Sequence, residues 1–192
     1  AKDYKLAKPQ QVDATIKLKS DFGLIKVFVP QLQYISELDL TTTINTNQNV
    51  LDLTAKMDSA NYDDIAFNNI FIDGNTNNTD LLLNGSVSNL RVKNTDIKEI
   101  KLGLNSSLEQ LLTNLSVSSD TADNSVRMLS ILDFKGDSII AKIIDSKLKL
   151  NKKIWEVQKG NELIIIDSIF IAQNFSLIQG EQKINIQNGR NT

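Results

Sequence analysis

Val12, Ala14, Ile16 and Leu18 alternate with Asp13, Thr15, Lys17 and Lys19. Successive side chains of an extended chain point to opposite faces, so this period of two describes a strand with one apolar and one polar side. The period returns in Leu38-Leu40-Thr42-Ile44, Leu51-Leu53-Ala55-Met57, Gly85-Val87, Leu102-Leu104, Val126-Met128, Leu148-Leu150 and Ile184-Ile186. Between the runs stand Asp73-Gly74-Asn75, Asn84-Gly85, Gly136-Asp137, Gly160-Asn161 and Gly180-Glu181. Glycine and asparagine tolerate the positive φ angles of tight hairpins, so these stretches are expected to be turns. Short strands recurring every ~8–12 residues predict an all-β fold rich in antiparallel hairpins.

Some runs are apolar in both parities, namely Leu81-Leu82-Leu83, Ile139-Ile140 with Ile143-Ile144, and Leu163 to Ile166. One side of such a strand meets the main apolar surface, and the other needs a helix, a second layer or a partner. Two stretches depart from the strand pattern. Ser20-Asp21 can cap a helix carrying Leu24, Ile25 and Phe28 on one side, with Pro30 ending or kinking it; a short helix is expected near 21–28, resuming at 31–35. Leu108, Leu111, Leu112 and Leu115 have helical spacing, but Leu102-Leu104 leads in and Leu115-Val117 leads out at strand period. Residues 106–116 therefore read as helix or hairpin, and the flanking alternation favours a hairpin turning near Glu109-Gln110.

The length of 192 residues suits one domain, so 1–192 is read as a single β-rich domain. Its start at Ala1-Lys2 without methionine reads as an excerpt of a longer chain. A net charge of −2 and a pI near 5.2 do not provide the basic surface that nucleic-acid binding requires. The cluster Lys147, Lys149, Lys152 and Lys153 lies among acidic residues and reads as a solvated face. The sequence contains neither cysteine nor histidine. Thiolate chemistry, disulfides and the usual histidine base or metal ligand are thereby excluded. No run approaches the ~18 consecutive apolar residues of a membrane-spanning helix, and residues 1–20 lack a signal-peptide core.

Candidate chemical sites are sparse. Asp73, Asn75 and Asn77 open like a calcium loop, but Asn78 and Asn84 occupy the places where such a loop needs glycine and glutamate. Asp63-Asp64 and Glu162 with Asp167 show no sign of the convergence that paired-carboxylate catalysis demands. No phosphate-binding glycine loop occurs. Trp155 reads as a packed strand residue or a ligand-lining one. No catalytic residue, metal ligand or cofactor is assigned.

The C-terminal third, "LKLNKKIWEVQKGNELIIIDSIFIAQNFSLIQGEQKINIQNG", resembles the recurrent pattern of the TamB and AsmA-like family. The matching elements are Leu148, Leu150, Trp155, the turn with Asn161, Ile169-Ile171, Asn174-Phe175, Gln182, Ile184-Ile186 and Gly189. "FVPQLQYISELDLTTTINTN" is similar to the family's proline-containing helix and following strand, and "NIFIDGNTNNTDLLLNGSVSNLRV" to forms in Bacteroidota-type members. Two departures concern the domain's limits: Ser36-Glu37 stands where glycine is expected after the helix, and the repeat's usual closing glycine-bounded strand is truncated at Thr192. The resemblance implies a long, curved, half-open antiparallel sheet, the β-taco, with an apolar groove and one or two short helices. It implies a parent protein anchored in the inner membrane and crossing the periplasm. That protein would carry phospholipid acyl chains towards the outer membrane, or assist outer-membrane protein assembly with a TamA/BamA-like barrel partner, alongside adjacent repeats of its own chain. The groove residues it implies are Leu148, Leu150, Trp155, Val157, Ile169, Ile171, Phe175, Leu177, Ile184 and Ile186. Alternation alone also admits a closed β-sandwich or an adhesin-like binding domain.

Overall fold

The computed structural model describes residues 10–19, 29–77, 80–93, 95–107, 110–119, 123–166 and 169–186. They form fifteen strands: β1 (Gln11–Leu18), β2 (Leu32–Ile35), β3 (Leu38–Asn45), β4 (Val50–Tyr62), β5 (Ile65–Asn77), β6 (Asp80–Val92), β7 (Thr95–Ser107), β8 (Gln110–Ser119), β9 (Ser125–Lys135), β10 (Ser138–Leu150), β11 (Lys153–Val157), β12 (Glu162–Ile166), β13 (Ile169–Gln173), β14 (Phe175–Gln179) and β15 (Gln182–Ile186). All belong to one antiparallel sheet whose ladder runs from β1 to β15 without closing on itself. The sandwich and barrel alternatives are therefore set aside, and the open all-β sheet stands.

The order is an up-and-down meander with broken outer strands. Both β2 and β3 pair with the same edge of β4, at Tyr62 to Ala60 and at Met57 to Val50 respectively. On the far side, β12 and β11 share one edge of β10, at Ser138–Ala141 and Leu148–Leu150. Thus β2–β3 and β11–β12 each act as one strand with an interruption.

The breaks belong to two seams. Between the pairs Met57↔Ile70 and Ser59↔Asn68, Asp58 and Asn69 are passed over; Ser88 and Glu99 are passed over between Val87↔Ile100 and Asn89↔Lys98. Asn69 and Glu99 take φ of 50° and 45° to do this. Such extra residues bend a strand and reverse which parity faces which side. At the seam's outer end, Ser36 N–H donates to Ser59 O at 2.8 Å and Ser36 Oγ accepts from Ser59 N–H at 2.9 Å. The seam carries a cost, since Asn89 Oδ1 is buried beside it without a hydrogen-bond partner among the described residues.

The second seam crosses β10 between Ile143 and Asp145. There Asn161, 2% exposed, stands in for a missing strand. Its Oδ1 accepts from Ile143 N–H at 2.9 Å, and its Nδ2 donates to Ile143 O and to Gln158 O, both at 2.8 Å. Nearby, buried Ser146 accepts Val157 N–H at 2.7 Å. The asparagine side chain thus supplies the donor and acceptor that a peptide group would have offered.

Three expectations are corrected. Residues 32–35 are strand β2, not a resumed helix, because Leu32 and Ile35 complete the open edge of β4. No helix occurs among the described residues, and the expected 21–28 helix lies outside them. Asp73-Gly74-Asn75 and Asn84-Gly85 are not turns; they sit inside the 13-residue strands β5 and β6, where Asp73 pairs with Asn84 and accepts a 3.2 Å bond from its Nδ2. Gly74 packs closely there: a Cβ would lie 2.8 Å from Leu83 Cδ1 and would make that leucine terminus shift. The expected turns at Gly136-Asp137, Gly160-Asn161 and Gly180-Glu181 do form, with φ of 58°, 77° and 57° at their glycines. Residues 106–116 are a hairpin, β7 ending at Ser107 and β8 beginning at Gln110.

Asn161→Ala leaves the Ile143 N–H and two carbonyls without their partner, and is expected to lower unfolding free energy by about 2–3 kcal/mol. Asn161→Asp is expected to be at least as damaging, because a carboxylate then faces two carbonyl oxygens. Urea unfolding followed by far-UV circular dichroism measures both. An unchanged midpoint in Asn161→Ala would mean that the side chain does not hold the seam.

Candidate functional site

Directly opposed residues of antiparallel strands project to the same side, so the register assigns a face to each paired residue. One row crosses most of the sheet: Leu18, Leu38, Met57, Ile70, Val87, Ile100, Val117, Val126, Leu148 and Trp155, each paired with the next. No polar side chain interrupts it. One residue away, on the opposite face, runs Lys17, Asp39, Lys56, Phe71, Ser86, Lys101, Ser116, Arg127 and Lys147. Lys56 Nζ lies 5.7 Å from the Phe71 ring centroid, which places a cation over the aromatic residue of that row.

Charge follows the same division. Pairs Lys17–Asp39, Arg91–Asp96, Arg127–Asp145 and Lys142 with Asp133 and Glu162 join register positions of the polar face. The hydrogen bond from Arg91, at 2.7 Å, holds the Asp96 carboxyl below the ordinary aspartate range, so this contact is present at neutral pH and is lost as acid protonates the group.

Every substantial contact between strands is a contact between ladder neighbours, and no described element lies across the apolar face. Among the described residues only Ile35 and Ala60, 6% and 7% exposed, are buried apolar side chains. Val12, Ile16, Ile72, Leu102, Phe134, Ile184 and Ile186 on this face remain exposed. One hollow on this face, about 380 Å³, is lined by Leu18, Leu32, Ile35, Leu38, Met57, Ala60, Tyr62, Phe67, Ile70 and Val87. A contiguous exposed apolar surface of this kind marks an interaction site in proteins generally.

Of the residues implied by the family resemblance, Leu148, Leu150, Trp155, Val157, Phe175, Leu177, Ile184 and Ile186 share the apolar face by register. Ile169 and Ile171 do not. They pair with Ile166 and Ile164, and Ile164 pairs with Ile140 on the side of Asp133; Phe170 and Ala172 occupy the apolar face instead. The cause is Asn174, whose φ of 50° interrupts the strand between β13 and β14 and reverses parity. Ile169 is 62% exposed.

The other sequence candidates scatter. Asp63 and Asp64 form the β4–β5 turn, Glu162 is engaged by Lys142 at 3.3 Å, and Asp167 lies outside the described residues. Asp73 and Asn75 belong to β5 rather than to a loop, and no group of acidic residues among the described residues is arranged to hold a metal ion. Lys147 and Lys149 lie on the polar face, Lys152 pairs with Asp123 at 3.9 Å, and Lys153 opposes Leu150 on the apolar face.

The arrangement defines a class: an open, single-layer antiparallel sheet with one charged and one apolar face. Comparison with protein family models, curated proteins and solved structures yields no match for this chain.

An environment-sensitive apolar dye is expected to bind this surface. Leu102→Glu, at a side chain already 41% exposed, should reduce dye fluorescence several-fold with folding retained, whereas Lys101→Gln should leave it unchanged. Equal effects of the two substitutions would show that the dye does not distinguish the faces.

Proposed function

We propose that the apolar face is a track for phospholipid acyl chains in a TamB/AsmA-like protein. The observation that carries the reading is the uninterrupted apolar row from Leu18 to Trp155 on a face that no described element covers. Moving an acyl chain through water costs ~0.8 kcal/mol per methylene, on the order of 10 kcal/mol for a 16-carbon chain. A continuous apolar surface lowers that barrier by contact alone and needs no nucleophile, metal or base. The twelve strands of the main ladder, at ~4.8 Å spacing, carry the face about 50 Å, enough for a segment of a conduit. On this reading the parent protein is anchored in the inner membrane and spans the periplasm. Neighbouring repeats extend the track, and a TamA/BamA-like barrel receives its outer-membrane end or works with it in outer-membrane protein assembly.

Photo-crosslinkers at 184 and 186 in the full-length parent should capture phospholipid in cells, and those at 183 and 185 should not, because β15 pairs Ile184 with Leu177 and Ile186 with Phe175 on the apolar face. Ile184→Glu, at a residue 49% exposed, should impair transport more than folding. Capture at both parities alike, or at neither while the parent works, would defeat the acyl-chain reading.

A further inference from the structure

Nearly every charge in the paired strands is on the polar face, and Lys153 breaks that division. It opposes Leu150 across β10–β11, and Trp155 opposes Leu148, so both β11 residues project from the apolar side, about 7 Å apart along the strand. Among register-paired positions of the described strands, no other ionised residue falls on this face. No ion pair between described residues involves Lys153. Its neighbour Lys152 is turned to Asp123, and Lys147 and Lys149 point the other way.

The placement is at an end, not in the middle. Lys153 opens β11 directly after the Asn151-Lys152 turn, and the apolar surface of Leu148, Trp155, Val157 and Leu177 begins beside it. A cation at the border of an apolar surface complements a molecule whose apolar tail and anionic head are joined. The tail gains by covering the apolar residues, and the head gains by meeting an ammonium with few competing partners. Trp155 is suited to the junction, because its indole combines a large apolar body with one N–H donor.

We infer that Lys153 is the headgroup contact for an anionic phospholipid whose acyl chain lies against Leu148, Trp155, Val157 and Leu177. This rests on the acyl-chain reading above and adds selectivity by headgroup charge.

Trp155 is the only tryptophan of the chain, so its fluorescence reports on this place alone. Bromine on an acyl chain quenches tryptophan at contact. Lysophosphatidylglycerol and lysophosphatidylcholine carrying the same brominated chain are titrated into the 192-residue protein below their micelle-forming concentrations. Both should quench, with the anionic lipid half-saturating at a roughly threefold lower concentration, as a part-exposed ion pair allows. Lys153→Gln should abolish that difference, weakening binding of the anionic lipid more than of the zwitterionic one; Lys153→Arg should retain it, and Lys147→Gln, on the polar face, should leave it intact. Equal half-saturation in the unsubstituted protein, or a preference that survives Lys153→Gln, overturns the headgroup assignment while the acyl-chain reading stands. Displacement of the anionic lipid by inorganic phosphate alone would assign Lys153 to a free anion and overturn it as well. Absence of quenching by either lipid defeats both readings.

Discussion

In a single-layer sheet, the backbone ladder fixes both the strand order and the face on which every side chain appears. Here that coupling carries the structure, because almost nothing is buried between layers. The ladder sets Leu38 beside Met57 and Met57 beside Ile70, and by the same bonds sets Asp39 beside Lys56 and Lys56 beside Phe71. A register slip of one residue in β1, β4 or β10 would carry charge onto the apolar face. Cross-strand neighbours therefore stabilise the fold and keep the two faces distinct.

The seams show what the coupling demands where strands cannot remain regular. An extra residue reverses parity, and the passed-over residues of adjacent strands stand together so that the faces are restored beyond them. At Asp58, Asn69, Ser88 and Glu99 this is achieved by alignment of irregularities in four consecutive strands. On β10 it is achieved by the Asn161 amide, which meets the orphaned peptide groups while the neighbouring strand changes from β12 to β11.

Much of this was legible in the sequence where alternation ran unbroken. Val12 to Leu18, Leu38 to Ile44 and Ile184 to Ile186 take the parity that their pattern implies. The hairpin in 106–116 followed from the strand period on both sides of an ambiguous leucine cluster. Local turn chemistry misled at Asp73-Gly74 and Asn84-Gly85, where two long strands pair through the polar residues and outweigh the turn propensity of each. Ile169 and Ile171 were misplaced because one asparagine with left-handed backbone is invisible to periodicity. The exceptional position of Lys153 emerged only with the register, since its own run of lysines looks like any solvated surface.

Because every substantial contact between described strands joins neighbours in the ladder, the described sheet is close to a one-dimensional chain of coupled units. Cooperativity in such a system is transmitted from row to row and is weakest at its limits. The long strands β4 to β10 share extensive ladders on both sides, whereas among the described residues β1 and β15 are each paired along one side, β15 through a short ladder. The outer rows can therefore open and re-form while the centre stays intact. On the acyl-chain proposal, a surface that admits and releases long flexible molecules gains from such an architecture, since its margins can yield without unfolding of the whole.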